Sequence, residues 1–173
     1  MRISLRPCGP EDWKVLRQTG IAVFTDTFAE MNTPANMQAY LDAAFNENTV
    51  RQELANPDSA FWLALAENGA VAGYLKVNFR AAQHEFRDKN AMEIQRIYVA
   101  RPFQGQGVAQ LLMEKAREAA VQAGVDFIWL GVWEHNPRAI RFYEKTGFRA
   151  VSSHAFFLGD EEQTDILMQL NIN

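Results

Sequence analysis

The chain has 173 residues, 48% hydrophobic and 22% charged, which suits one globular domain over 1–173 and excludes extended disorder. With 17 basic residues against 21 acidic, the net charge is −4, so no basic face for a nucleic-acid partner is expected. The single Cys8 excludes an internal disulfide and a multi-cysteine metal site, and MRISLRPCGPEDW carries no apolar leader, so a cytoplasmic protein without membrane or metal is expected.

Met1 to Leu5 reads as a short strand. Pro10, Glu11 and Asp12 open a helix carrying Trp13, Leu16, Gly20 and Val23 or Phe24 at helical spacing. Thr33-Pro34 starts a second helix with Met37, Tyr40/Leu41 and Ala44/Phe45, and a third covers Val50 to Leu54. Phe61–Ala66 and Val71–Phe79 form a hairpin about Asn68-Gly69, because that turn needs positive backbone angles. Ala81 to Asn90 is a polar connection, and Met92 to Val99 a strand. A helix from Gly105 to Ala123 ends at Gly124, and Phe127 to Val132 is an apolar strand. Asn136-Pro137 begins another helix, which Gly147 ends. Two strands, Phe148–Leu158 and Asp165–Leu170, finish the chain. The order is β, helices, hairpin, β, α, β, α, β, β. It predicts an α/β fold in which a parallel β-α-β unit sits among antiparallel neighbours.

Gln104, Gly105, Gln106, Gly107, Val108 and Ala109 lie between a strand end and a helix start. Unpaired N–H groups and the helix dipole suit such a turn to a phosphate, although a merely structural turn fits the same residues. A dinucleotide fingerprint fails at Gln110, and a P-loop fails because Val108 follows Gly107.

The pattern Q/R-x-x-G-x-G/A, met here by Gln104, Gly107 and Ala109, resembles that of the GNAT superfamily of N-acetyltransferases. The IYV strand (Ile97, Tyr98, Val99) and the block NPRAIRFYEKTGF, Asn136 to Phe148, are similar to that family's in the same order. FTDTFAE, TPANMQAYLDAAFN, IWLGVWEHN and LGDEEQTD further resemble the PaiA-type spermidine/spermine N-acetyltransferases. The resemblance implies a mostly antiparallel sheet of about seven strands flanked by helices. It also implies direct acetyl transfer, in a ternary complex, from acetyl-CoA to a primary amine, with a polyamine as acceptor. Relatives commonly dimerise. Another amine (an amino acid, an aminoglycoside or a protein N-terminus) and a non-catalytic acyl-CoA or polyamine sensor are the alternatives.

By the same resemblance, the glycine loop holds the pyrophosphate, while the backbone of Ile97 to Val99, Asn136 and Lys145 serve the rest of the cofactor. Tyr143 matches the tyrosine that faces the CoA sulfur. Asn136 also explains itself as a helix cap. Glu93 is the one carboxylate in the central strand and the candidate base; because Gln95 stands where many relatives carry a glutamate, a water relay from Glu93 or from the acceptor loop stays open beside it. A solvated strand end is its bland alternative. Asp26, Glu30 and the Asp160, Glu161, Glu162, Asp165 cluster, interleaved with Phe24, Phe28, Phe156 and Phe157, suit a flexible polycation, with Asp26, Glu30 and Glu161 as the named contacts; solvated turns are the alternative. His84, His135 and His154 have no metal-ligand spacing and read as surface or packing residues. Trp129 and Trp133 read as packing first and pocket wall second.

Overall fold

A computed structural model describes residues 1–172. Strand β1 (Ile3–Pro7) leads to helices α1 (Trp13–Phe28), α2 (Pro34–Ala44) and α3 (Glu47–Ala55). Thr33 caps α2 through the Asn36 N–H, with Pro34 at the first helical position. α3 is longer than its apolar pattern suggests, because Asn46 caps it by accepting from the Thr49 N–H. Strands β2 (Ser59–Ala66) and β3 (Val71–Phe79) form the expected hairpin, with Gly69 at φ +85° in the turn. Then come β4 (Ala91–Val99), α4 (Val108–Ala123), β5 (Phe127–Trp133), α5 (Pro137–Thr146), β6 (Arg149–Leu158) and β7 (Glu161–Asn171). α4 starts at Val108 rather than Gly105. Gly105 and Gly107 have φ of +76° and +84°, which no helix continues through.

The sheet has seven strands in the order β1-β2-β3-β4-β5-β7-β6. Only β4 and β5 run parallel; the other neighbours are antiparallel. One face is covered by α4 and α5. There Leu112, Met113 and Ala116 pack on Leu75, Val77, Met92 and Ile128, and Tyr143 joins them. Leu16 of α1 and Val50 of α3 cover the opposite face over Phe61, Leu63 and Tyr74. Phe24, Met37, Phe45 and Leu158 tie α1 and α2 to β6. Each such side chain contributes about 1.5–3 kcal/mol when fully buried.

Two irregularities in β4 shape the site. First, β4 pairs with β5 only through Ala91, Met92 and Glu93; beyond Glu93 the strands part, while β5 stays paired to β7 as far as Trp133. The β5-facing edge of β4 is then left without a strand partner. Second, β4 bulges at Gln95: Lys76 opposes Arg96 and Val77 opposes Ile94, so Gln95 has no opposite number on β3. The extra residue shifts the side-chain alternation. Met92 and Ile94, then Ile97 and Val99, face the α4 side, while Tyr98 joins the clusters under α1 and Arg96 reaches Glu53 of α3.

The polar connection between β3 and β4 is pinned. Gln83 is fully buried; its Oε1 accepts from Trp129 Nε1 at 2.7 Å, and its Nε2 donates to the carbonyls of Arg80 and Phe86. Arg80 and Phe86 sit at φ of +50° and +53°, conformations that side chains seldom adopt unless the surroundings enforce them. Gln83→Leu strands the Trp129 donor, and stability should fall by about 1–3 kcal/mol, the cost of an unmet buried polar group. The denaturation midpoint measures this. In a Trp129→Phe background, where no donor is left over, the same change should cost less.

Candidate active site

The parting of β4 from β5 opens a cleft of ≈1040 Å³. At one end stands the N-terminus of α4. The first helical bond runs from the Leu111 N–H to the Gly107 carbonyl, so the N–H groups of Val108, Ala109 and Gln110 have no helical acceptor and point out of the turn. A Cβ built at Gly105 or Gly107 meets nothing within 4 Å, which leaves open space over the turn. An anion fits here: free donors, the positive end of a 16-residue helix dipole and close backbone access coincide.

Ile97, Tyr98 and Val99 line the same cleft with the unpaired edge of β4. Gln104, Gly105, Gly107, Val108 and Ala109 also line it, and Gln104 Nε2 lies 3.4 Å from the Val99 carbonyl. Gln106 is exposed and donates to the Pro102 carbonyl, and Lys145 is exposed on α5; neither is part of the wall. Asn136 lines the cleft while its Oδ1 accepts from the Ala139 N–H, so the cap and the site position coincide.

Tyr143 of α5 is buried against Phe142 and Phe148 and lines the cleft. Burial alone pushes its phenol well above the ordinary range, so the proton stays on oxygen throughout neutral pH. Trp133 Nε1 is also buried at the cleft wall and has no acceptor among the described residues. A carbonyl oxygen of a bound ligand is the group such a donor lacks.

Glu93 is not a solvated strand end. It is 5% exposed; its Oε1 accepts from Asn78 Nδ2 at 2.9 Å and from the His84 N–H at 3.1 Å, and both its oxygens lie within 3.1 Å of His84 Nδ1. Asn78 in turn is held by Ser59 and also donates to Gln95. His84 is exposed, as the sequence reading expects, and its ring also lies against the central carboxylate.

Asp26 and Glu30 line the cleft from α1 and the turn that follows it, with Arg101 Nη1 4.0 Å from Asp26. Glu161 is exposed at the first position of β7 and lies outside the cleft, contrary to the expectation from the sequence. Asp165 takes its place. It lies 3.4 Å from His154 Nε2, while His154 Nδ1 lies 3.1 Å from Glu85; all three line the cleft. Burial raises the Asp165 carboxyl, and the nearby His154 pulls it partly back. Gly131 leaves room for the pair, since a Cβ there would come within 3.2 Å of Asp165 Oδ2. Phe28 lies tilted against Trp133, ring centroids 4.8 Å apart, and meets Phe156 edge-on, giving the cleft an aromatic wall. Trp129 and Trp133 both line the cleft; Trp129 is fully buried and donates to Gln83, whereas the Trp133 Nε1 has no acceptor among the described residues.

Cys8 is half-buried far along the sheet, its thiol pushed up to about 12 by burial, and so is no nucleophile. Among the described residues no group of three or more His, Cys, Asp or Glu is placed to hold a metal ion, and no helix is long and apolar enough to cross a membrane.

Residues 23–148 match the model of the Acetyltransferase (GNAT) family, a span that runs from within α1 through the glycine turn to Phe148. The chain belongs to the GNAT acetyltransferase family. This GNAT is 41% identical to an uncharacterized N-acetyltransferase of Lactobacillus delbrueckii subsp. lactis over 160 residues, 92% of the chain and 90% of the relative. It is 28% identical to the streptothricin acetyltransferase of Streptomyces lavendulae over 131 residues, 74% of the chain and 66% of the relative. Its fold matches the PaiA N-acetyltransferase of Thermoplasma acidophilum, solved in complex with coenzyme A, with a TM-score of 0.81 across 99% of both chains at 19% identity. The protein is an N-acetyltransferase with acetyl-CoA as cosubstrate. The cleft fits that molecule: an anion turn at one end, an unpaired strand edge beside it, and an orphaned donor and a phenol further in.

Proposed function

We propose that this GNAT acetylates a primary amine of a polyamine of the spermidine or spermine type, by direct attack while both substrates are bound. The observation that carries the reading is the acceptor end of the cleft. Asp26, Glu30, Glu85 and Asp165 line it together with the Phe28, Trp133 and Phe156 wall. Spaced carboxylates match spaced ammonium groups, and aromatic faces suit both cations and the methylenes between them. The sequence stretches shared with PaiA-type enzymes support the same acceptor.

In this reading the cosubstrate supplies an acetyl group activated as a thioester. The α4 turn binds its pyrophosphate, the free edge of β4 aligns its amide-bearing arm, and the Tyr143 hydroxyl donates a hydrogen bond to the departing sulfur. The phenol is too weak an acid to give its proton away outright, so any transfer is concerted with replacement from the attacking nitrogen.

Removing single carboxylates tests the acceptor. A charge pair at 4 Å in an effective dielectric of 20 is worth about 4 kcal/mol before desolvation and screening are subtracted. Asp26→Asn, Glu30→Gln and Asp165→Asn should each raise KM for spermidine several-fold to about a hundredfold and leave the acetyl-CoA KM unchanged. Glu161→Gln, outside the cleft, should change neither. Added salt should weaken spermidine binding in the wild type, as the screening length falls below about 10 Å above 0.1 M. Unchanged spermidine kinetics in all three cleft variants would remove the polyamine and leave another amine as acceptor; streptothricin-type amines belong in the same panel.

A further inference from the structure

Amine acetylation has a proton problem. An alkyl ammonium of ordinary pKa near 10.4 must lose a proton before it attacks, and the group that takes it must face the bound amine. Glu93 is poorly placed for this. Its side chain is 7% exposed and its oxygens already accept from Asn78, from the His84 backbone and from the His84 ring. A carboxylate so surrounded has little room for an ammonium.

The geometry points instead to His84 as the proton acceptor, with Glu93 as the group that positions it. The reasoning runs through the tautomer. A carboxylate can only accept, so the contacts of Glu93 with His84 Nδ1 at 2.9 and 3.1 Å require a proton on Nδ1. In the neutral ring Nε2 is then left with its lone pair. The His84 side chain is 57% exposed and lines the cleft, and its Nε2 has no partner among the described residues. Carboxylate, oriented imidazole and free ring nitrogen are the parts of a general base whose conjugate acid the carboxylate stabilises.

The loop is built to hold this arrangement. His84 follows Gln83, whose buried amide is fixed by Trp129 and by two carbonyls of the same loop. Its own N–H is anchored on Glu93. Among the charged groups around it, Glu93 comes from β4 and Glu85 from the next position, with Glu85 paired to His154 of β6 and His154 to Asp165 of β7. Of these carboxylates, Glu93 is the one in contact with the His84 ring.

The proton balance closes without another reagent. The acceptor's ammonium gives one proton to Nε2. The freed nitrogen bonds to the acetyl carbon as the carbon–sulfur bond breaks. The nitrogen's second proton ends on the leaving sulfur, by way of the Tyr143 hydroxyl, and the imidazolium releases its proton to solvent. Amide, thiol and one free proton are the products.

This inference rests on the amine-acceptor reading, and the experiment separates the two. Wild-type turnover is measured first on the amine panel; no turnover with any amine would sink the acceptor reading itself. With the best amine, kcat/KM is then measured for wild type, His84→Ala and Glu93→Gln. His84→Ala should lose about 10²–10⁴-fold while binding acetyl-CoA and melting like wild type. Added imidazole should restore part of the rate, because the vacated position opens on the cleft. Glu93→Gln should lower the rate too, since a Gln amide can donate to Nδ1 and leave the proton on Nε2. Long-range proton–nitrogen spectra of histidine-labelled protein should report the Nδ1–H tautomer for His84 in wild type and its loss in Glu93→Gln. A His84→Ala enzyme with the wild-type rate would overturn the assignment. So would a rate loss that imidazole leaves untouched, or an Nε2–H tautomer in the wild type.

Discussion

Gly107→Asp should weaken acetyl-CoA binding by at least about a hundredfold while the protein stays folded. The substitution places a carboxylate where the free N–H groups of α4 converge. Two like charges at 4 Å in an effective dielectric of 20 repel by about 4 kcal/mol before screening, and each 1.4 kcal/mol is tenfold in affinity. The change also strains the backbone, because Gly107 sits at φ +84° and a β-carbon there costs roughly 1–2 kcal/mol. Gly69 separates the two effects. It has nearly the same φ, +85°, and open space around it, in the β2–β3 turn. Gly69→Asp should therefore lose similar stability and keep its affinity. Calorimetric titration with acetyl-CoA reads the affinities, and thermal melts read the strain. Equal affinity in the two variants would move the phosphate site away from α4.

Tyr143→Phe should lower kcat by about a hundredfold, near the low end of general acid–base contributions, with acetyl-CoA affinity unchanged. The ring stays packed between Phe142 and Phe148, so the donor's binding surface is kept. Stability should change little: the hydroxyl makes no hydrogen bond to another described residue, so its removal leaves no protein group unpaired. Because burial raises the phenol, the pH dependence of kcat between 6 and 9 should not contain Tyr143 in either enzyme. Single-turnover kinetics keep the chemical step in view. A wild-type chemical step in the variant would remove Tyr143 from the reaction.

The donor half of the site was legible in the sequence because it is local. The glycine turn, the IYV strand and the α5 block each lie within a short run, so a family resemblance could single them out; of their chemistry, only the free N–H groups of a helix start follow from the residues alone. The bulge at Gln95 left a trace that alternation alone can find: apolar positions fall at 92 and 94, then at 97 and 99, a change of parity that marks an inserted residue. The acceptor half is different. His84 meets Glu93 across a strand boundary, and Glu85 meets His154 from 69 positions away. No periodicity marks a polar loop, so nothing near His84 announced that a buried Gln83 would fix it in place. Charge density pointed to Glu161, but distance along β7 decided otherwise: Asp165 pairs opposite His154 inside the cleft, while Glu161 begins the strand in solvent.

The central claim is transfer of an acetyl group from acetyl-CoA to a polyamine amine, and thiol release over a panel of amines tests it most directly. Spermidine and spermine are compared with alkyl monoamines, amino acids and streptothricin-type amines at equal acetyl-CoA, with mass spectrometry of the products. The carboxylate-lined cleft predicts that the polyamines exceed the monoamines in kcat/KM by tenfold or more, since about 1.4 kcal/mol from one further ammonium contact suffices, and that one primary amine carries the new acetyl group. Monoamines that match spermidine in kcat/KM, or thiol release without an acetylated polyamine, would contradict it.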